Sequence, residues 1–170
     1  FLAFCADLTG MEGALKRHGH NLDDNNLEIG LVSTIDASLV GMSAYLAADS
    51  LGLHGLMIGA VRNDAKAVAR VLGLPPRVYC VFGMCLGWPA ETPQLKPRRA
   101  LDHMVHHEKY DAGKLEAGLD EYDKALAIHY RSTGKTTTDA SWTDDIDSKF
   151  NVPRRENLRE ALKDLGFNFR

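Results

Sequence analysis

Apolar and polar positions fall along this chain in blocks whose lengths separate strands from helices. Residues 1–6 are a short apolar run, read as a buried strand entered in its middle. Residues 7–26 are polar and glycine-rich, with Lys16, Arg17, His18 and His20, and predict a solvated, partly disordered excursion. Over 27–51 the pattern becomes a long helix ended by Gly52, with Leu31, Val32, Ile35, Leu39, Val40, Met42 and Leu46 nearly all round it. An all-round apolar helix predicts burial on most sides. Ala37, Gly41, Ala44 and Ala48 recur at i, i+4, i+7 and i+11. Such a stripe of small side chains admits a second helix, inside the fold or across a dimer, and equally suits ordinary core packing.

Residues 53–61 predict a strand. Asn63 or Asp64 can then cap a short helix carrying Val68, Val71 and Leu72, which Gly73 and the Pro75-Pro76 pair stop. Residues 77–88 are almost continuously apolar, as in a strand buried on both faces. A basic, proline-containing loop follows over 89–99. Residues 114–130 form an amphipathic helix through Leu115, Leu119, Tyr122, Leu126 and Ile128. A threonine-rich loop at 131–141 leads to two closing helices at 142–150 and 153–165, the second ended by Gly166. This order implies an α+β fold with one mixed sheet surrounded by helices. No repeat or linker divides it, so 1–170 reads as a single domain.

Composition narrows the function. The 170 residues are 45% hydrophobic and 25% charged, enough for one sizeable core. A formal charge of −3 supplies no general pull toward nucleic acid or an anionic membrane. No run of about 18 apolar residues occurs, which argues against a transmembrane helix. The start lacks Met and a basic n-region, so it is not read as a signal peptide, and the sequence is expected to begin inside a domain. Cys5, Cys80 and Cys85, an odd set in apolar stretches, suit buried thiols in a reducing, cytoplasmic setting.

Several motifs have plainer readings. Ser132-Thr133-Gly134-Lys135-Thr136 resembles the end of a phosphate-binding loop, but His129 stands where that loop needs Gly, and a helix precedes it instead of a strand. His103, His106, His107 and Glu108 cluster without a further ligand at zinc-site spacing, so no metal is assigned. Asp144, Asp145 and Asp147 suit the dipole of a helix starting near Trp142. More informative are Gly59-Ala60, small residues at a strand end where main chain can approach a flat ligand, and Lys96 and Arg98, two cations flanking Pro97 that could converge on a phosphate.

The block Ile58-Gly59-Ala60-Val61-Arg62-Asn63, then Phe82-Gly83-Met84-Cys85-Leu86-Gly87-Trp88-Pro89-Ala90 and Leu95-Lys96-Pro97-Arg98, is similar to the nitroreductase superfamily. Ser50-Leu51-Gly52-Leu53, Val71-Leu72-Gly73-Leu74-Pro75, Val105-His106 with Tyr110, Trp142 and Gly166-Phe167 extend the similarity along the chain. It resembles in particular the NADPH-preferring oxygen-insensitive nitroreductases and flavin reductases. The resemblance implies a dimer-forming, FMN-binding α+β fold, a soluble two-subunit enzyme with helix 27–51 near the interface. It implies main-chain contacts to the flavin at Gly59 and Ala60, where the family usually has two glycines, with Arg62 near the cofactor edge. Lys96 and Arg98 would hold the FMN phosphate, and Arg155 would line the nicotinamide and substrate pocket. NAD(P)H would pass a hydride to FMN, after which a nitroaromatic, a quinone or free flavin takes two electrons. Thr133 and Thr138 stand where NADPH-preferring relatives carry arginines, and Arg131 and Lys135 lie nearby as substitutes. The family's N-terminal phosphate-contacting segment is absent from the sequence. A non-catalytic flavin-binding module, or a truncated cofactor-free protein of the same fold, is the alternative.

Overall fold

The computed structural model describes residues 1–23, 27–92, 94–134 and 141–169. In chain order these form β1 (Leu2–Asp7), α1 (Thr9–Arg17), α2 (Leu27–Ser50), β2 (His54–Ile58), a 3-10 turn (Gly59–Asp64), α3 (Ala65–Leu72), β3 (Val78–Gly87), a short 3-10 turn (Leu101–His103), α4 (Gly113–Ser132), α5 (Trp142–Phe150) and α6 (Leu158–Asp164). They fall into two units, Phe1–Ala90 with Arg155–Arg170, and Glu91–Arg154.

In the first unit β3 is the central strand, flanked by β1 and β2 in the order β1-β3-β2. Both pairings are antiparallel, so the parallel pair of the expected mixed sheet is not among the described residues. Val78 to Val81 and Met84 are buried, as the continuous apolar run predicts for a central strand. The β1 register slips between Phe4 and Cys5: Phe4 faces Phe82 and Cys5 faces Cys80, leaving Val81 as the extra residue of a bulge. Tyr79 and Val81 join Ala6, Leu8, Leu22, Ala37, Leu162 and Phe167 in the core. The Tyr79 and Phe167 rings meet edge to face at 4.7 Å, and the Tyr79 hydroxyl shares a 2.7 Å hydrogen bond with Thr34 Oγ1.

Residues 7–26 differ from the expected excursion, because Thr9–Arg17 is helical. Asp7 Oδ1 accepts hydrogen bonds from Thr9 N and Oγ1, and Leu8 and Leu22 are buried, so a local side-chain turn and two apolar anchors order what composition alone reads as loose. Residues 24–26 lie outside the described part.

The long helix is also placed differently from the expectation of burial on most sides. Gly30, Ala37, Gly41 and Ala48 are its buried residues, while Leu31, Ile35, Leu39, Met42 and Leu46 are exposed. The two sets lie on opposite faces. The two glycines of the small face pack on aromatic rings: a Cβ on Gly41 would stand 2.3 Å from Phe82 Cζ, and one on Gly30 would stand 2.2 Å from Phe169 Cε1. Phe82 in turn stacks on Phe4 at 4.9 Å, so the ring has little room to retreat. In length and composition α2 is apolar enough to cross a membrane, contrary to the reading that no segment is.

The predicted strand 53–61 stops at Ile58 because the chain curls into the 3-10 turn. Asp64 then caps α3, its Oδ1 accepting from Ala67 N at 2.8 Å, and Gly73 closes the helix in the left-handed conformation with φ 64°. Helix α6 is shorter than predicted, and Gly166 (φ 92°) ends the segment beside Arg77, whose N donates to Leu165 O at 2.7 Å.

In the second unit α4 buries Gly118, Tyr122 and Leu126. The Tyr122 and Trp142 rings lie 6.0 Å apart. Ser141 Oγ accepts from Asp144 N at 3.1 Å, and Asp123 Oδ1 accepts from Trp142 N and Thr143 N at 3.0 and 3.1 Å. The start of α5 is thereby capped twice, once locally and once from α4.

Candidate functional site

At the end of β2 the strand direction breaks at Gly59, and two guanidinium groups converge there. Arg155 has a left-handed backbone (φ 54°); its Nε donates to Asn63 Oδ1 at 2.9 Å and its Nη2 to the Gly59 carbonyl at 3.5 Å. Arg62 folds back from within the turn, so that its Nη2 lies 3.2 Å from where a Cβ on Gly59 would stand. Its Nη1 donates to the carbonyl of Val81, the bulged residue of β3. A side chain at 59 would therefore press on a cation that the central strand holds in place. Ala60 is exposed next to it.

Arg155, remote in the sequence, thus joins the Gly59, Ala60 and Arg62 block in the first unit. Of the two caps the sequence offers for α3, Asn63 and Asp64, Asp64 does the capping, and Asn63 orients Arg155. Nothing in the spacing of residues 63 and 155 signals that bond. The corner offers bare main chain and two half-buried cations, which suits the edge of a flat ring that gathers negative charge. These residues fit FMN.

Burial dominates the ionisable groups beneath the corner. It pushes the Tyr79 phenol up, against the Thr34 hydrogen bond and the nearby Arg62 charge. It pushes the Cys80 thiol up to about 11, with the neighbouring Cys5 thiol adding to the effect. Cys85 is exposed, unlike the buried thiol expected there; next to the fully buried Met84 it pairs with Leu56 of β2, which is exposed as well.

In the second unit Lys96 and Arg98 are both exposed in an irregular stretch. The Lys96 ammonium sits over the Tyr130 ring, 5.4 Å from its centroid, a cation–π contact that restricts where the charge can point. Arg131 is exposed at the last turn of α4, and Lys135 lies outside the described residues. The described part of the phosphate-loop-like motif, Ser132 to Gly134, is a helix ending: Thr133 N donates to His129 O at 3.0 Å, and Gly134 has φ 66°. Two of the clustered histidines have local partners. His103 Nδ1 lies 3.3 Å from Glu121 Oε2, and His106 stacks on Tyr110 while its Nδ1 accepts from Asp111 N at 3.0 Å.

Comparisons with known proteins give the family. The nitroreductase family model matches residues 8–88, and the model of the nitroreductase family's C-terminal domain matches 96–170. An oxygen-insensitive NADPH nitroreductase of Salmonella typhimurium is 36% identical over 98% of this chain and 68% of its own length. An NADPH-flavin oxidoreductase of Vibrio harveyi is 30% identical over 98% of this chain and 67% of its own. Among solved structures, Bacillus megaterium NfrA2 superposes with a TM-score of 0.92 at 29% identity, covering 99% of this chain and 68% of that one. The chain belongs to the nitroreductase family.

Proposed function

We propose that this chain serves an FMN-dependent oxidoreductase that takes reducing equivalents from NAD(P)H and delivers two electrons to a nitroaromatic, a quinone or free flavin. The Gly59 corner carries the reading, where bare main chain meets the guanidinium groups of Arg62 and Arg155. FMN, when bound, supplies the redox chemistry, so no side-chain nucleophile is required. The chain's own residues bind and orient. Gly59 keeps the main chain open to a flat ring, with Ala60 beside it. Arg62, fixed by the Val81 carbonyl, supplies positive charge that favours an anionic ring edge. Arg155, oriented by Asn63, serves the nicotinamide and acceptor side.

Lys96 and Arg98 supply the phosphate contacts. Arg131, with Lys135 from outside the described residues, serves the nicotinamide nucleotide. Two copies of the chain form the working enzyme, a reading supported by the exposed apolar face of α2. Free thiols at Cys5, Cys80 and Cys85 suit a reducing cytoplasm.

Flavin retention tests the proposal. The purified protein, supplied with FMN, is expected to be yellow and to bleach on addition of NADPH or NADH. Lys96→Ala with Arg98→Ala is expected to weaken FMN binding at least about tenfold, since each charge-assisted hydrogen bond contributes about 1.5–3 kcal/mol. A colourless protein that stays inert with added FMN would sink the flavin reading. Unchanged retention in the double variant would remove these two residues from the phosphate.

A further inference from the structure

Two thiols face one another across the β1–β3 pairing, and the flavin reading uses neither. Cys5 and Cys80 are opposite partners at the bulge. Directly opposed antiparallel residues hold their Cα atoms about 4.5–5.5 Å apart, inside the span of about 4.4–6.8 Å that a disulfide requires. Both are free thiols, and each sulfur also reaches a backbone carbonyl, Cys5 Sγ that of Ala3 at 4.0 Å and Cys80 Sγ that of Phe82 at 3.4 Å. They differ in access. Cys80 is only 3% exposed and lines an apolar cavity of about 380 Å³ with Phe1, Val61, Val68 and Val71, whereas Cys5 is half-buried. Cys85, exposed farther along β3, faces Leu56 of β2 and has no cysteine opposite it.

We propose that Cys5 and Cys80 form a reversible dithiol–disulfide site that a peroxide closes. Cys5, the more accessible thiol, reacts first. Its thiolate attacks one peroxide oxygen, the O–O bond breaks, and the released hydroxide takes up the thiol's proton to leave as water, giving a Cys5 sulfenic acid. The Cys80 sulfur then attacks the Cys5 sulfur; the S–S bond forms as the S–O bond breaks, and a second water leaves with the Cys80 proton. Two thiols lose two electrons and two protons, and hydrogen peroxide becomes two waters. An added dithiol reverses the closure by exchange. Burial keeps both thiols protonated at neutral pH, so closure answers to sustained oxidant. The bond ties β1 to β3 at the residue before Val81, whose carbonyl holds Arg62.

The test uses the full chain with Cys85→Ser, which removes the exposed competitor. After hydrogen peroxide treatment, thiols are counted in denaturant and the intact mass is measured. The expected result is loss of both thiols, a mass lighter by two hydrogen atoms, and a non-reduced digest that joins the peptides of Cys5 and Cys80. Dithiothreitol should restore both thiols. Once Cys5 is oxidised, its partition toward the Cys5–Cys80 bond over further oxygen addition should be at least ~10-fold higher in the folded chain than in the urea-unfolded chain, since the sheet holds the sulfurs together. Oxygen addition to Cys5 with Cys80 still free, cross-links between chains, thiols left untouched, or equal partition folded and unfolded would each overturn the proposal.

Discussion

At the scale of single residues, burial governs the chemistry of β3. Cys80 is held in its neutral form chiefly by desolvation, which raises its pKa from 9.0 to about 11; Cys5 and Tyr79 shift in the same direction. The folded chain thus holds the Cys80 proton more tightly than the unfolded one. That preference contributes stability which is fully present below about pH 9 and lost as the pH rises toward about 11. Under reducing conditions the wild-type chain should lose stability to denaturant across that window, and Cys80→Ala should flatten the loss. Parallel curves for the two proteins would show that Cys80 does not carry the effect. Cysteines in apolar runs are legible in the sequence as buried thiols, and Cys80 meets that reading. That Cys5 sits opposite it depends on strand register, which spacing does not encode.

At the scale of elements, the small-residue face of α2 and the bulge of β3 decide how the corner is built. Gly41 and Gly30 admit the Phe82 and Phe169 rings, and the bulge at Val81 turns a carbonyl toward Arg62. Arg62 therefore has a structural role that stands apart from any ligand. Arg62→Met leaves a partly buried carbonyl without its charged donor and should lower stability by about 1–3 kcal/mol, measured by urea unfolding without flavin. Unchanged stability would mean that solvent replaces the guanidinium at no cost. The stripe of Ala37, Gly41 and Ala48 is legible as a close-packing face. Its partner is not, because a ring and a helix make the same demand for missing side chains.

At the scale of the whole molecule, one face of α2 presents Leu31, Ile35, Leu39, Met42 and Leu46 to solvent in the single chain, with Leu39 61% and Leu46 57% exposed. A contiguous apolar stripe of that kind marks an interaction surface. On the proposed pairing of two copies, the melting temperature should rise with protein concentration, because association stabilises the folded state by mass action. Ile35→Glu, at the middle of the stripe, should abolish that dependence and halve the mass seen by sedimentation, with helicity retained. A variant that remains two-chain would place the contact elsewhere.

The sequence by itself determined the kinds and order of most elements: apolar period, caps and stop residues are local quantities, and α2, α3, β3, α4 and α5 follow from them. It also determined the family, through residue blocks that run through both units. Tertiary structure alone decided that α1 is ordered, that large apolar side chains of α2 face outward, that Cys5 meets Cys80, and that Asn63 orients Arg155 beside Gly59. Each of these depends on which surface lies opposite, at separations of up to some ninety residues along the chain. Burial and hydrogen bonding are properties of that encounter, and no local pattern carries them.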